Sequence, residues 1–231
     1  MKTFYWGDVP QNFGDVLTAN ILKHYNIEYK HTNKFEDANY FSTGSIVRLA
    51  KNATVLGSGI IRQGEDLDPN NTYRFVRGPL TRKRILECGG SCPEIYGDPA
   101  LLLPRFCAPS EKKHKVGLIP HYQDYKRVKE QYKDYHVINV VNNNPLEVAK
   151  EISSCEKIIS SSLHGIISAH AYDIPAARVI FSKLHGDGSK FEDYCASVDV
   201  SAQASTVINP IYSIGNKINL DIIEGIFKEY V

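Results

Sequence analysis

Short apolar runs alternate with amphipathic stretches along nearly the whole of this 231-residue chain. A short apolar run bounded by turn residues fits a buried strand. A stretch with apolar residues three and four apart fits a helix that covers one face of a sheet. Repetition of that pair builds βα units around a mostly parallel sheet, so the rhythm confines the chain to the α/β class. It predicts strands at Thr3–Trp6, Tyr40–Phe41, Thr54–Leu56 and Tyr73–Arg77, and helices at Asp15–Tyr25 and Pro79–Leu86. Pro79 suits a first helical turn, where its missing N–H costs little.

The rhythm breaks over Pro104–Lys115. Pro104, Pro109, Ser110 and the run Glu111-Lys112-Lys113-His114-Lys115 read as a solvated linker. It restarts with strands at Val116–Ile119, His136–Val140, Lys157–Ser160 and Ala177–Phe181. Helices at Tyr125–Tyr132, Leu146–Cys155 and His164–Tyr172 lie between them, and an amphipathic helix spans Leu220–Tyr230. The expected organisation is two Rossmann-like lobes with parallel sheets. The N-terminal lobe covers 1–108, the linker 109–115, and the C-terminal lobe 116–231 with the terminal helix. Ligands of such folds bind at the carboxyl ends of the strands, often between lobes.

Composition narrows the function classes. A formal net charge of +1 gives none of the basic excess of a nucleic-acid binder. Five cysteines without a CxxC pair read as free thiols of a reducing compartment, and no metal site is expected. Met1–Asp8 reads as a first strand rather than a leader, so a cytoplasmic protein is expected, with at most peripheral contact at the inner face of a membrane.

The segment Ile158-Ile159-Ser160-Ser161-Ser162-Leu163-His164-Gly165 runs from an apolar strand into three hydroxyls, a histidine and a helix start. A helix N-terminus attracts phosphate or carboxylate, and His164 can exchange a proton near neutral pH. Helix capping by the serines is the structural alternative. Asn12 and Asp15, in a glycine-bounded loop after the first strand, can meet sugar hydroxyls. Gly59, in Gly57-Ser58-Gly59, permits close backbone approach. Arg77, at a strand end, can grip an anion with two parallel hydrogen bonds. Asp98 precedes a proline, which holds it extended or turned, and either shapes the crevice between the lobes or serves structure alone. His121 follows the first strand of the second lobe, and Lys190 can reach an anion.

Together these segments resemble the polysaccharide pyruvyl transferase family. The matching pieces are Asn12-Phe13-Gly14-Asp15, Gly57-Ser58-Gly59, Arg77-Gly78-Pro79-Leu80-Thr81, Gly97-Asp98-Pro99-Ala100, Ser162-Leu163-His164-Gly165, Ala171-Tyr172-Asp173-Ile174-Pro175 and Lys190-Phe191-Glu192-Asp193-Tyr194. The resemblance implies a two-lobed architecture like the GT-B glycosyltransferases. It also implies transfer of the pyruvyl group of phosphoenolpyruvate onto two hydroxyls of a polysaccharide or lipid-linked saccharide, giving a cyclic ketal and phosphate. It assigns His164 and Arg77 to the donor site, with Ser161, Ser162 and Leu163 beside them and no cofactor. Many members carry arginine where this chain has Ser162, so Arg77, Lys190 or the helix N-terminus must supply that anion contact. His164 is the expected general acid, and Asp15 and His121 the candidate bases. The rival readings are a GT-B enzyme using a nucleotide sugar and a non-catalytic sugar- or nucleotide-binding module.

Overall fold

Five short parallel strands organise the first lobe. In chain order its elements are β1 (Lys2–Phe4), α1 (Phe13–His24), β2 (Lys30–Thr32), β3 (Tyr40–Phe41), β4 (Thr54–Leu56), β5 (Thr72–Phe75) and α2 (Pro79–Glu87). The sheet order is β2-β1-β3-β4-β5. A 3-10 stretch, Pro99–Arg105, leads toward the second lobe. There follow β6 (His114–Ile119), α3 (Tyr125–Gln131), β7 (His136–Val137), α4 (Pro145–Ser153), β8 (Cys155–Ser160), α5 (Leu163–Ala171), β9 (Ala176–Arg178), α6 (Ser189–Ser197) and α7 (Leu220–Lys228). The second sheet has the order β7-β6-β8-β9, and its pairs are also parallel. This computed structural model describes residues 1–7, 12–142, 144–182 and 186–230. Among them, no helix is long and apolar enough to cross a membrane.

The expected α/β class with two parallel sheets is present, together with elements that the rhythm does not predict. β2 is a polar edge strand, Lys30-His31-Thr32, with no apolar run to betray it. The 3-10 stretch buries Leu101, Leu102 and Leu103 within a proline-bounded segment. α6 buries Ser189 and Asp193 beside Phe191 and Tyr194, and buried polar residues blur an apolar helical period. β7 is shorter than predicted, because Val140 turns its carbonyl to the N–H of Phe13 in the first lobe, 2.9 Å away.

The predicted linker is partly structured. β6 begins inside it at His114, and the Lys113 N–H donates to the Ser154 carbonyl at 2.7 Å. The lobes also share apolar packing: one cluster joins Phe13, Leu17 and Ile21 of α1 to Phe75 of the first sheet and to Ile119, Ile158 and Ile166 of the second lobe. The terminal helix departs from its expected place with the C-terminal lobe. α7 lies on the first lobe, with Phe227 stacked on Tyr25 at 5.7 Å and edge-on to Phe75 at 6.0 Å. Arg105 binds Asp221 at 2.6 Å and holds α7 there from its exposed side.

A fully buried ion pair ties the lobes together. Arg77, after β5, donates from Nε to Asp193 Oδ2 of α6 at 3.1 Å, and both side chains are completely buried. Its other guanidinium nitrogens reach Ser45 Oγ at 2.7 Å and the Ile60 carbonyl at 2.6 Å. Asp193 also accepts from the Thr81 N–H at 2.8 Å and the Thr81 hydroxyl at 2.7 Å. Gly78 is the N-cap of α2 and has no side chain to offer, so the other lobe supplies the acceptor for the first turn. A Cβ on Gly78 would stand 1.9 Å from the Asp193 carbonyl oxygen, which makes glycine obligatory.

Loss of one partner from a buried pair strands the other charge, at about 3–5 kcal/mol. Asp193→Ala is therefore expected to lower unfolding stability by that amount in urea titrations. A loss below about 1 kcal/mol would put the pair in the class of exposed ion pairs and reject the clamp.

Candidate functional site

The crevice between the lobes holds a cavity of about 440 Å³ at the carboxyl ends of both sheets. The first lobe lines it with Trp6, Asn12, Asp15 and Ser45. The second contributes His121, Ser162, Leu163, His164 and Lys190. Seven of the ten sequence-predicted site residues thus meet in one space: Asn12, Asp15, His121, Ser162, Leu163, His164 and Lys190.

Local structure explains each placement. Asn12 is the N-cap of α1, and its Oδ1 accepts from the Gly14 N–H at 3.2 Å. Asp15 follows in the first turn, at the crevice wall. Gly14 lies against the imidazole of His164, where a Cβ would come within 2.1 Å of Nδ1. In the second lobe, β8 ends at Ser160, whose Oγ accepts from the Ser162 N–H at 2.9 Å and turns the chain into α5. Ser162 occupies the N-cap position, yet its hydroxyl makes no capping hydrogen bond. Ser161 Oγ accepts from the His121 N–H at 2.9 Å, fixing the loop after β6 beside the turn.

Burial and charge set the protonation behaviour. Burial raises the Asp15 carboxyl from its ordinary 3.8 to about 7, against the pull of Lys190. Burial, aided by the charge of Arg77, lowers Lys190 to about 8, against Asp15. His121 is lowered to about 4, mainly by burial and then by Lys190. Burial also lowers His164; Asp98 opposes that shift, while Arg77 and Lys190 add to it. An anion entering this cavity would favour protonation of His164 and Lys190.

Two expectations need correction. Arg77 does not grip a ligand at the crevice surface, because its side chain is fully buried and bonded to Asp193, Ser45 and Ile60. Gly59 does not make room for a ligand either. A Cβ there would lie 2.4 Å from Arg77 Cζ, so this glycine makes room for the guanidinium. The tenth residue, Ser161, lines a neighbouring cavity of about 420 Å³ that shares Lys190 with the crevice.

That neighbour contains a cation that the sequence pattern does not single out. Arg178 ends β9 directly beside Ser160 and lies over the Phe191 ring at 4.2 Å. Its Nη1 donates to the Ala202 carbonyl at 2.5 Å, while its buried Nε has no hydrogen-bond partner. Trp6 is the second omission. The chain's one tryptophan is 48% exposed at the crevice and packs edge-on against Phe4 at 5.0 Å. Trp6 ends one predicted strand, and Arg178 falls within another. Their position at strand ends, where this fold places ligands, is the signal that was available.

Among the described residues, no three His, Cys, Asp or Glu side chains are grouped to hold a metal ion, and all five cysteines are free.

Comparison with known proteins bears on this geometry. Residues 12–180 match the family model described as polysaccharide pyruvyl transferase. The chain is 28% identical over 216 residues to the succinoglycan biosynthesis protein ExoV of Rhizobium meliloti (strain 1021), covering 87% of this chain and 66% of that protein. It is 35% identical over 163 residues to an uncharacterized protein of Acanthamoeba polyphaga mimivirus, covering 65% of this chain and 57% of that one. The chain therefore spans less than two thirds of the length of either relative.

The raised Asp15 carboxyl has a stability signature. A carboxyl with a raised folded-state pKa contributes stability below its unfolded value, and that stability is lost as pH climbs through the folded one. The window here runs from about 4 to about 7. Asp15→Asn removes the ionisation. Urea midpoints of wild type and variant are expected to differ little near the bottom of the window and to diverge up to its top, with the variant gaining. A gap independent of pH would reject the shift.

Proposed function

Because this chain belongs to the polysaccharide pyruvyl transferase family, we propose that it transfers the pyruvyl group of phosphoenolpyruvate to two hydroxyls of a sugar in a polysaccharide or lipid-linked saccharide. The products are a cyclic ketal and phosphate. The observation that carries the reading is the meeting of His164, Asp15 and Lys190 in one crevice between two parallel α/β lobes, an arrangement in keeping with a GT-B-like enzyme.

Phosphoenolpyruvate brings a carboxylate and a phosphate. Lys190 and Arg178 are the cations for them, with the start of α5 adding its partial positive charge. These take over the contact that Ser162, in place of arginine, does not make. His164 gives its proton to the methylene carbon as the donor's double-bond electrons form the new C–H bond. A sugar hydroxyl attacks the adjacent carbon and gives its proton to Asp15, whose pKa of about 7 suits a general base. The second hydroxyl then displaces phosphate, and its proton leaves with the phosphate or passes through Asp15. His121, neutral at pH 7 with its pKa of about 4, borders the same space as a hydrogen-bonding group. Trp6 offers an aromatic face on the first-lobe side, suited to stacking on a sugar ring.

Phosphate release from phosphoenolpyruvate, followed by phosphorus NMR with a lipid-linked saccharide present, tests the reaction. Mass spectrometry should show one pyruvyl ketal gained by the acceptor. Stabilisation by nucleotide sugars but not by phosphoenolpyruvate in thermal melts would overturn the reading in favour of a glycosyltransferase. His164→Ala is expected to lose about a hundred- to ten-thousand-fold in kcat. Lys190→Met should raise the KM for phosphoenolpyruvate by about 10- to 100-fold, as expected for a charged hydrogen bond. Trp6→Ala should instead raise the acceptor KM and leave the donor KM nearly unchanged. An unaltered acceptor KM would remove the stacking role.

A further inference from the structure

Asp98 and His164 face each other across the lobe boundary, with Oδ2 3.8 Å from Nε2. Both atoms are sealed from solvent, and neither has a hydrogen-bond partner. An unsatisfied buried polar atom is costly, and two that face each other call for an explanation. The helix cap does not provide it. Asp98 Oδ1 accepts from the Ala100 N–H at 2.9 Å, which starts the 3-10 stretch, but asparagine or serine would cap as well without burying a charge. The cap does fix the carboxylate, so that Oδ2 is held toward the imidazole.

The other edge of the ring is arranged differently. Nδ1 lies against the backbone of Gly14, where a Cβ would stand 2.1 Å away, one residue before Asp15, and His164 lines the crevice while its Nε2 is sealed against Asp98. We infer that Asp98 is the positioning residue of His164: it accepts from Nε2–H, fixes the tautomer and ring orientation, and leaves Nδ1 as the nitrogen that delivers a proton into the crevice. The destination of that proton rests on the reaction proposed above; the pairing itself does not. An N–H···O bond needs about 2.7–3.2 Å. Closure of the lobes by roughly 1 Å would form it, in line with catalytic hydrogen bonds that tighten only when substrate is bound.

The charges around His164 make the pairing consequential. Arg77 after β5 and Lys190 on α6 disfavour the imidazolium, Asp98 favours it, and Asp15 and His121 border the same cavity. Without the Asp98 charge, burial and the two cations act unopposed.

Asp98→Asn keeps the capping oxygen and the shape while removing the charge. Nitrogen-15 NMR of histidine-labelled protein, with His164 assigned from its absence in His164→Ala, reads tautomer and titration without any substrate. The expected result is loss of the wild-type tautomer preference and a His164 pKa lower by about one unit or more. The alkaline limb of kcat moves to lower pH by the same amount, about tenfold in kcat above it, with little change in the KM for phosphoenolpyruvate. Asp98→Ser, which also caps, gives the same readout should Asp98→Asn fold poorly. Unchanged His164 tautomer and titration in a folded variant overturns the inference, even in an active enzyme. A shifted His164 in a protein that never consumes phosphoenolpyruvate upholds the pairing and overturns only the proposed reaction.

Discussion

The buried pair of Arg77 and Asp193 is the constraint on which the rest of the molecule depends. It joins the lobes through groups 116 residues apart and sets the position of α6. Lys190 lies one turn before Asp193 on that helix, so the clamp that anchors Asp193 also delivers Lys190 to the crevice. The same guanidinium, although hidden from solvent, helps to lower the Lys190 ammonium and the His164 imidazole. A structural charge thus tunes groups that it never touches. Gly59 and Gly78 exist in the space left by this arrangement, one beside the guanidinium and the other under the Asp193 backbone.

A second attachment, between the start of α1 and the segment after β7, completes the crevice. The Phe13 N–H bonds to the Val140 carbonyl, and Gly14 then lies on His164. The backbone contact of α1 and the Arg77–Asp193 pair therefore bring the proton-handling groups of the two lobes together. Burial lifts the Asp15 carboxyl to about 7 and lowers the Lys190 ammonium to about 8, each against the pull of the other.

Much of this was legible in the residues. The run from Ile158 to Gly165 passes from apolar to polar within two residues, and such a transition marks a strand end opening a helix. Asn12 and Asp15 carry the polar residues of a helix start. The partner of Arg77 was not legible, because an arginine at a strand end looks the same in sequence whether it faces a ligand or a distant carboxylate. Asp193, its partner, lies on a helix whose buried serine and aspartate break the apolar period. Arg178 and Trp6 were concealed because a strand pattern records alternation along the chain and does not mark where the sheet ends. The place of α7 was equally hidden, since an amphipathic helix announces its apolar face without naming the surface that receives it.

That last helix has a consequence for how the protein is made. Ile223 and Phe227 close over Tyr25, Phe75 and Gly97, all of which belong to the first half of the chain. During synthesis the N-terminal sheet leaves the ribosome first, yet the part of its apolar face around Tyr25 and Phe75 stays open until residues 220–228 have been made. The lobe that is translated early is finished late, so a nascent chain must keep that face from aggregating while the whole second lobe is added.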